Sequence, residues 1–374
     1  MKVRYTYRVY PTPSQQEHLA KVFGCVRYVY NWGLRYRMDA YERGEKVNFA
    51  QSSAALTILK KMPEYSWLNE VRSVPTQQAL RHLDSAYRNL FAKRSGFPRF
   101  KNKYSKQSAE FTALAFKYEK GVLSLAQIGA LKVRWSRPFA SQPTTVTISK
   151  TRTGRYFVTI VLDEPTPTYL AKTGQSVGID LGISHLATLS TGETIANPRH
   201  TKNYQKQLAK AQRILSRRTK GSNRRNRQRL KVVRIQEKIT NTRKDHLDKV
   251  TTTLVRRFDR IAIEDLHVRN MVKNRKLAKH ISDASFGAFR HMLTYKCSWY
   301  GKELVVIDRF YPSSKTCSTC GHVEAKMPLN VRAWECPKCS SKHDRDINAA
   351  KNILAVGHTV SARGATGRPT LTYC

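Results

Sequence analysis

Cys317, Cys320, Cys336 and Cys339 follow the spacing C-x2-C, fifteen residues, C-x2-C. Two dicysteine pairs at that separation form a zinc-ribbon pattern. Four thiolates close a tetrahedral site and leave no open position, so the metal expected here is structural. Seven residues past Cys339 lies Asp346, in the run His343-Asp344-Arg345-Asp346-Ile347-Asn348-Ala349-Ala350, which reads as a helix start. A metal-stapled module abutting that start can hold one carboxylate in a fixed place.

Two more carboxylates end apolar runs. Asp180 follows Val177-Gly178-Ile179, and Glu264 follows Ile261-Ala262-Ile263. Both read as strand ends in an α/β domain, where functional groups gather. Three carboxylates meeting at one edge would raise one another's pKa. A divalent cation resolves that conflict, and oxygen ligands favour magnesium or manganese. Two such ions about 4 Å apart would clamp in-line attack of water on a phosphodiester. Each residue also has a plainer reading. Asp180 can open a turn before Leu181-Gly182, Glu264-Asp265 can close a strand, and Asp344 or Asp346 can cap the last helix.

The chain carries 68 Lys+Arg against 26 Asp+Glu, a formal net charge of +42 over 374 residues. Such an excess repels itself unless a polyanion neutralises it, and it exceeds what one short DNA site needs. Nucleic acid is the expected partner. No segment is long and apolar enough to span a membrane. Cys25, Cys297 and Cys374 stand apart from the ribbon, which points to a reducing compartment rather than a disulfide framework. The N-terminus, MKVRYTYRVYPTP, lacks the apolar stretch of a signal peptide. A cytoplasmic, nucleoid-associated protein is expected.

The remaining pattern says what positions these groups. Val3 to Tyr10 alternates like a strand. Helices are expected from Ser14, over Val26 to Glu42, and over Thr76 to Lys93. Phe97-Pro98-Arg99-Phe100-Lys101 is a basic-aromatic loop. Strands follow over Phe111 to Tyr118, Gly121 to Leu125 and Leu131 to Trp135, then a hairpin pairs Thr144 to Ser149 with Tyr156 to Leu162. This spacing suggests a small β-barrel with the early helices inserted into it. Pro165 to Gly174 reads as a linker. Beyond it, Val177 to Leu189 opens an α/β domain. Lys202 to Lys244 reads as a helical pair broken near Gly221-Ser222, with sixteen basic residues and one acid, Glu237. A solvated helix would mix signs, so this face suits a phosphate backbone. Asp283 to Tyr300 reads as one helix and Leu304 to Asp308 as a strand. From Gly357 onward a disordered tail is expected.

Gly178-Ile179-Asp180-Leu181-Gly182, Ile263-Glu264-Asp265-Leu266 and the ribbon running into Asp344-Arg345-Asp346-x-Asn348-Ala349-Ala350-x-Asn352-Ile353 resemble the TnpB family. These are the OrfB-type proteins of IS200/IS605 and IS607 transposons, related to Cas12 nucleases. Tyr10-Pro11-Thr12, Arg27-Tyr28-Val29-Tyr30-Asn31, Gly96-Phe97-Pro98-Arg99-Phe100 and Tyr311-Pro312-Ser313-Ser314 fit the same pattern, so the resemblance spans nearly the whole chain.

The resemblance implies a RuvC-like RNase H fold with a zinc-ribbon insertion, and a wedge-like barrel with an inserted helical recognition lobe. The barrel would take residues 1–12 and 97–170, the lobe 13–96, the nuclease 175–310 and 343–356, the ribbon 311–342 and the tail 357–374. It implies a catalytic triad of Asp180, Glu264 and Asp346, with Asp344 as the fallback for Asp346. It also implies a guide RNA from the transposon end and cleavage of double-stranded DNA beside a short adjacent motif, with no protein oligomer required. One departure stands at Phe286, where the family pattern often has Trp. Phe keeps the ring and loses the N–H donor.

Guide pairing reads sequence through bases while the protein grips backbone and shape. Phe97, Arg99, Lys101, Phe100 and Tyr104 combine rings with charge, and Arg217, Arg218, Arg224 and Arg225 are phosphate candidates. Gln77 and Gln78, with Ser52 and Ser53, are candidates for reading the adjacent motif, since amides suit adenine edges. A strand transferase using the same acids, or a non-catalytic regulator of transposition, are the competing readings.

Overall fold

A computed structural model describes residues 2–163, 169–328 and 330–362, without the side chains of 360–362. It divides into two compact units, Met1–Thr166 and Pro167–Cys374.

In the first unit, β1 (Lys2–Val9) leads into α1 (Pro13–Glu42). The two helices expected there are one. Thr12 and Gln15 form a reciprocal capping box, with Pro13 in the first turn, and nothing in the following thirty residues breaks the ladder. Then come α2 (Phe49–Leu59), a 3-10 stretch (Pro63–Glu70) and α3 (Ser73–Phe91). Helix α2 was not expected, although Asn48 and Gln51 form a second capping box at its start. Helix α3 begins three residues earlier than expected and carries Pro75 within its first turn, where a missing N–H costs nothing.

The strands are β2 (Gln107–Thr112), β3 (Phe116–Glu119), β4 (Val122–Leu125), β5 (Gly129–Leu131), β6 (Val133–Arg134), β7 (Pro143–Lys150) and β8 (Tyr156–Asp163). The expected strand from Phe111 to Tyr118 is split by a 3-10 turn at Ala113–Ala115. The pairing order is β2-β7-β8-β1-β6, with β3-β4-β5 as a second sheet.

The second unit holds β9 (Ser176–Asp180), β10 (His185–Leu189), β11 (Thr194–Ala196), α4 (His200–Ser216), α5 (Asn223–Arg257), β12 (Arg260–Glu264), α6 (Val268–Met271), α7 (Ala278–Ala284), α8 (Phe286–Tyr300), β13 (Glu303–Ile307), β14 (Ala333–Glu335), β15 (Lys342–Asp344) and α9 (Arg345–Ala362). Its sheet runs β11-β10-β9-β12-β13. Strands β9, β12 and β13 are parallel, and β10 and β11 antiparallel. Side chains alternate across this sheet. Val177, Ile179, Ile261 and Ile263 pack on one face with Leu254, Val255, Phe289 and Leu293 of α5 and α8. Ala262, Val305 and Ile307 pack on the other with Ile353 of α9.

Helix α9 lies close to the sheet because two glycines let it. A Cβ built on Gly178 would stand 2.1 Å from the Ala350 carbonyl oxygen, and one on Gly357 would stand 2.7 Å from Ala262 Cβ. The disordered tail expected from Gly357 is therefore corrected. Residues 357–362 continue α9, and Gly357 is a packing contact rather than a helix stop, while 363–374 lie outside the described residues. Gly178→Ala is expected to cost about 3 kcal/mol, because helix backbone cannot swing aside as a side chain can. Urea unfolding measures it, and a loss under about 0.5 kcal/mol would show that α9 does not bear on β9.

Two further expectations change. The helix expected over Asp283 to Tyr300 is broken at Ser285, whose φ is 57°, so Asp283 belongs to α7. Of the expected linker, 164–168 lie outside the described residues. The part beyond is tied down: Asp259 accepts from the Thr173 and Gly174 N–H groups at 2.8 and 2.7 Å.

Candidate active site

Strand parity assembles the acids. Asp180 lies two residues past Gly178, and Glu264 two past Ala262, so both carboxylates share the face that α9 covers. Ile179 pairs with Ile263 in the parallel ladder. Asp180 and Glu264 thus stand level at the C-terminal ends of neighbouring strands. Ala350 sits over Gly178, and Asp346, one helical turn earlier on the same α9 face, is carried toward Asp180.

The electrostatics report the same convergence. Burial, then the Asp346 carboxylate, pushes Asp180 up to about 6, against the pull of Arg345 and Arg332. Burial, then Asp180, then Asp265, pushes Glu264 up to about 7. Near neutral pH such a pair gives up its last protons readily when a cation joins it. The donor set, oxygen alone, suits magnesium or manganese.

Glu264 and Asp265 are adjacent and face opposite ways. Asp265 bonds to both Arg290 of α8 and Arg309. Burial opposes its charge, but the two guanidiniums hold it below the ordinary carboxylate range. It is a structural anion, and Glu264 is the member left facing the acids.

Asp344 and Asp346 also divide. Asp344 Oδ1 accepts from the N–H groups of Asp346 (3.0 Å) and Ile347 (2.9 Å), so it caps α9. Asp346 is left half-buried, with Arg332 Nη1 3.4 Å from its Oδ1. Arg332 was not anticipated, since nothing local marks it among so many arginines. Asp344→Ala is expected to cost about 1 kcal/mol of stability and to leave Asp180, Glu264 and Asp346 in place. Thermal unfolding beside an activity assay checks this, and loss of activity without loss of stability would give Asp344 a chemical role.

The four cysteine sulfurs lie within 4.8 Å of one another. Cys317 and Cys339 are 3.7 Å apart, and Cys320 and Cys336 3.6 Å. A tetrahedron of Zn–S bonds has edges of about 3.8 Å, so the set fits zinc. The ribbon grips α9 through two buried amides. Asn348 accepts from the Ser318 N–H at 2.9 Å and donates to the Thr316 carbonyl at 2.7 Å. Asn352 donates to the Ser313 and Thr316 carbonyls at 2.8 and 2.6 Å. Thr316 and Ser318 flank Cys317, so the cysteine knuckle and the Asp346 helix are stitched together.

The nucleic-acid candidates separate. Gln77 and Ser53 line one cleft of about 330 Å³ with Thr57, Lys60, Lys61 and Thr76. Gln78, a hundred degrees round the helix, is half-buried and does not line it. Ser52 is fully buried and bonded to Arg37; packing uses it. Lys101 is fixed by Asn31, which pairs with its backbone at 2.8 and 2.9 Å, and its Nζ sits 3.9 Å from the Tyr30 ring centre. Phe97, Phe100 and Tyr104 are about half exposed, and Phe97 meets Tyr87 edge-on. Arg99 is exposed. Arg217, Arg218 and Arg224 are exposed at the α4–α5 turn, while Arg225 donates inward to the Leu215 and Arg218 carbonyls at 2.8 and 2.6 Å. Arg225 holds the turn. Phe286 is 2% exposed in the apolar core, a place that asks for a ring and no donor.

Three family models match. One described as a probable transposase, OrfB_IS605, covers 159–275; a Cas12f1-like TNB domain covers 286–353; a helix-turn-helix domain covers 1–46. Residues 2–46 form β1 and one unbroken helix, α1, rather than two helices. A putative RNA-guided DNA endonuclease of Streptomyces pristinaespiralis is 53% identical over 374 residues, 99% of this chain and 92% of that one. The putative RNA-guided DNA endonuclease InsQ of Escherichia coli (strain K12) is 32% identical over 98% of this chain and 95% of its own. Among solved structures, a Cas12f1–sgRNA–target DNA complex aligns with TM-score 0.57 at 14% identity, over 91% of this chain and 82% of that chain. The Cas_phi3 mini-RNA-guided endonuclease aligns at 0.52 and 10%, over 96% and 92%. These carry likeness of fold. No helix among the described residues is long and apolar enough to cross a membrane.

Proposed function

We infer that this chain, which belongs to the TnpB (OrfB) family, is an RNA-guided DNA endonuclease of a transposon. What supports the reading is the placement of Asp180 and Glu264 level at neighbouring strand ends, with Asp346 on the α9 turn next to Asp180, near enough that the Asp346 charge raises Asp180 and the Asp180 charge raises Glu264. We propose these three as the catalytic carboxylates of a RuvC-like nuclease spanning 175–310 and 343–362, the end of α9 included. The wedge-like barrel, helical lobe and ribbon take the ranges given above. RNA and DNA are the partners, with the guide drawn from the transposon end and the target cut beside a short motif.

The residues act by position. Asp180 and Glu264 hold two oxygen donors level at neighbouring strand ends. Asp346 closes the set from α9, and Arg332 brings a positive charge to the same mouth for the scissile phosphate. When bound, magnesium or manganese would supply the Lewis acidity that activates water and steadies the leaving oxygen. The cysteines would hold zinc away from the chemistry.

The test is to purify the protein with its bound RNA and add magnesium and a duplex matching the guide region. Cutting beside one short fixed motif supports the reading. Strand joining that needs no RNA would favour a transferase, and binding without any cutting a regulator.

A further inference from the structure

In the first unit, α1 and the 3-10 stretch flank an open cleft of about 450 Å³, whose lining includes Gly24, Arg27, Tyr28, Trp32, Arg35 and Trp67. Its walls are aromatic. Tyr28 and Trp67 meet edge-to-face with centroids 5.0 Å apart, and Trp32 stacks on Tyr36 at 5.4 Å and 10°. Trp67 remains 37% exposed. Its charge is positive. Arg27 has no acidic partner among the described residues, and Arg35 pairs loosely with Asp39, at 3.9 Å, and lies over the Phe100 ring, 5.9 Å from its centre. Gly24 is the second observation. It lies inside a long helix, where glycine is unfavourable, and a Cβ there would meet nothing within 4 Å. Packing does not require glycine at this position. An open cleft does.

The geometry points to this cleft as a site for one unpaired base of the bound RNA, stacked on Trp32 or Trp67, with Arg27 or Arg35 on its phosphate. A ring-walled slot with guanidiniums at its rim matches a nucleotide's flat apolar face and anionic backbone. RNA is the source because its loops and ends present unstacked bases, whereas a guide-paired target strand does not. The assignment rests on the RNA-guided reading.

The experiment is ultraviolet crosslinking of the protein–RNA complex as purified, with adducts mapped by mass spectrometry, in wild type, Gly24→Leu and Trp67→Ala. RNA adducts on Tyr28, Trp32 or Trp67 are expected. Gly24→Leu fills the slot from a position whose Cβ meets nothing, so it should lower their yield about tenfold with the melting temperature unchanged or higher, since leucine suits a helix better than glycine. Trp67→Ala should do the same and Trp67→Phe restore it. Adducts confined to other segments, adducts to added DNA instead of RNA, or a Gly24→Leu variant that changes oligomeric state while keeping its adducts would overturn the assignment. If guided cutting is normal and the adducts are absent, the cleft assignment alone fails. If no RNA co-purifies and nothing is cut, both fail.

Discussion

Asp180→Asn is expected to lower guided DNA cutting by ~10³-fold or more, or about 4 kcal/mol of transition-state stabilisation, with the fold intact. Asparagine keeps the shape and removes the charge on which Glu264 and Asp346 converge. The same change should raise stability in alkaline, metal-free buffer. Folded Asp180 and Glu264 titrate near 6 and 7, above the ordinary values of about 4. Between those limits the folded chain holds protons that the unfolded chain has released. This contribution is full below about pH 4 and is lost as pH rises through 6 and 7. Without divalent ions, the wild type should therefore melt a few degrees lower at pH 8 than at pH 5 on this account. Magnesium should restore it at pH 8, and Asp180→Asn should blunt both responses. A pH-independent melting difference, or cutting by Asp180→Asn within tenfold of wild type, would remove Asp180 from the chemistry.

Cys317→Ser is the second large effect: zinc released and cutting reduced at least about 100-fold. The route is mechanical. Cys317 sits between Thr316 and Ser318, whose backbone groups satisfy Asn348 and Asn352. Both amides are buried, at 1% and 4% exposure. Letting the knuckle go strands them, at about 1–3 kcal/mol for each unsatisfied group. The helix that carries Asp346 then loses its outer support. Metal analysis, hydrogen exchange across 345–362 and a cutting assay measure the three links in order. Asn348→Ala should keep zinc and still weaken cutting, which separates the stitching from the metal. Undiminished cutting by zinc-free protein would refute the coupling.

Much of this was legible in residue order. Period-two runs marked β1, β7 and β8, a short continuous apolar run ending in acids marked β12, and the cysteine spacing marked the ribbon. Parity along β12 also separates Glu264 from Asp265 once one face is known to be covered. What was not legible depends on partners distant in sequence. Gly357 reads as a stop because local rules price its flexibility, and only Ala262 explains it. Asn348 and Asn352 look like surface polar residues until the ribbon is docked on them. Arg225 and Lys101 look like phosphate ligands, and the fold uses one on helix-end carbonyls and the other over a ring. The capping box at Asn48 was visible and should have announced α2.

The order of the acids along the chain has a consequence for synthesis. A ribosome releases Asp180 and Glu264, and the basic hairpin between them, well before Asp346. The third acid arrives only with α9, which must settle on Gly178 and beneath the ribbon. A half-made chain therefore carries its positive arm without a complete set of acids, and the blade is fitted last.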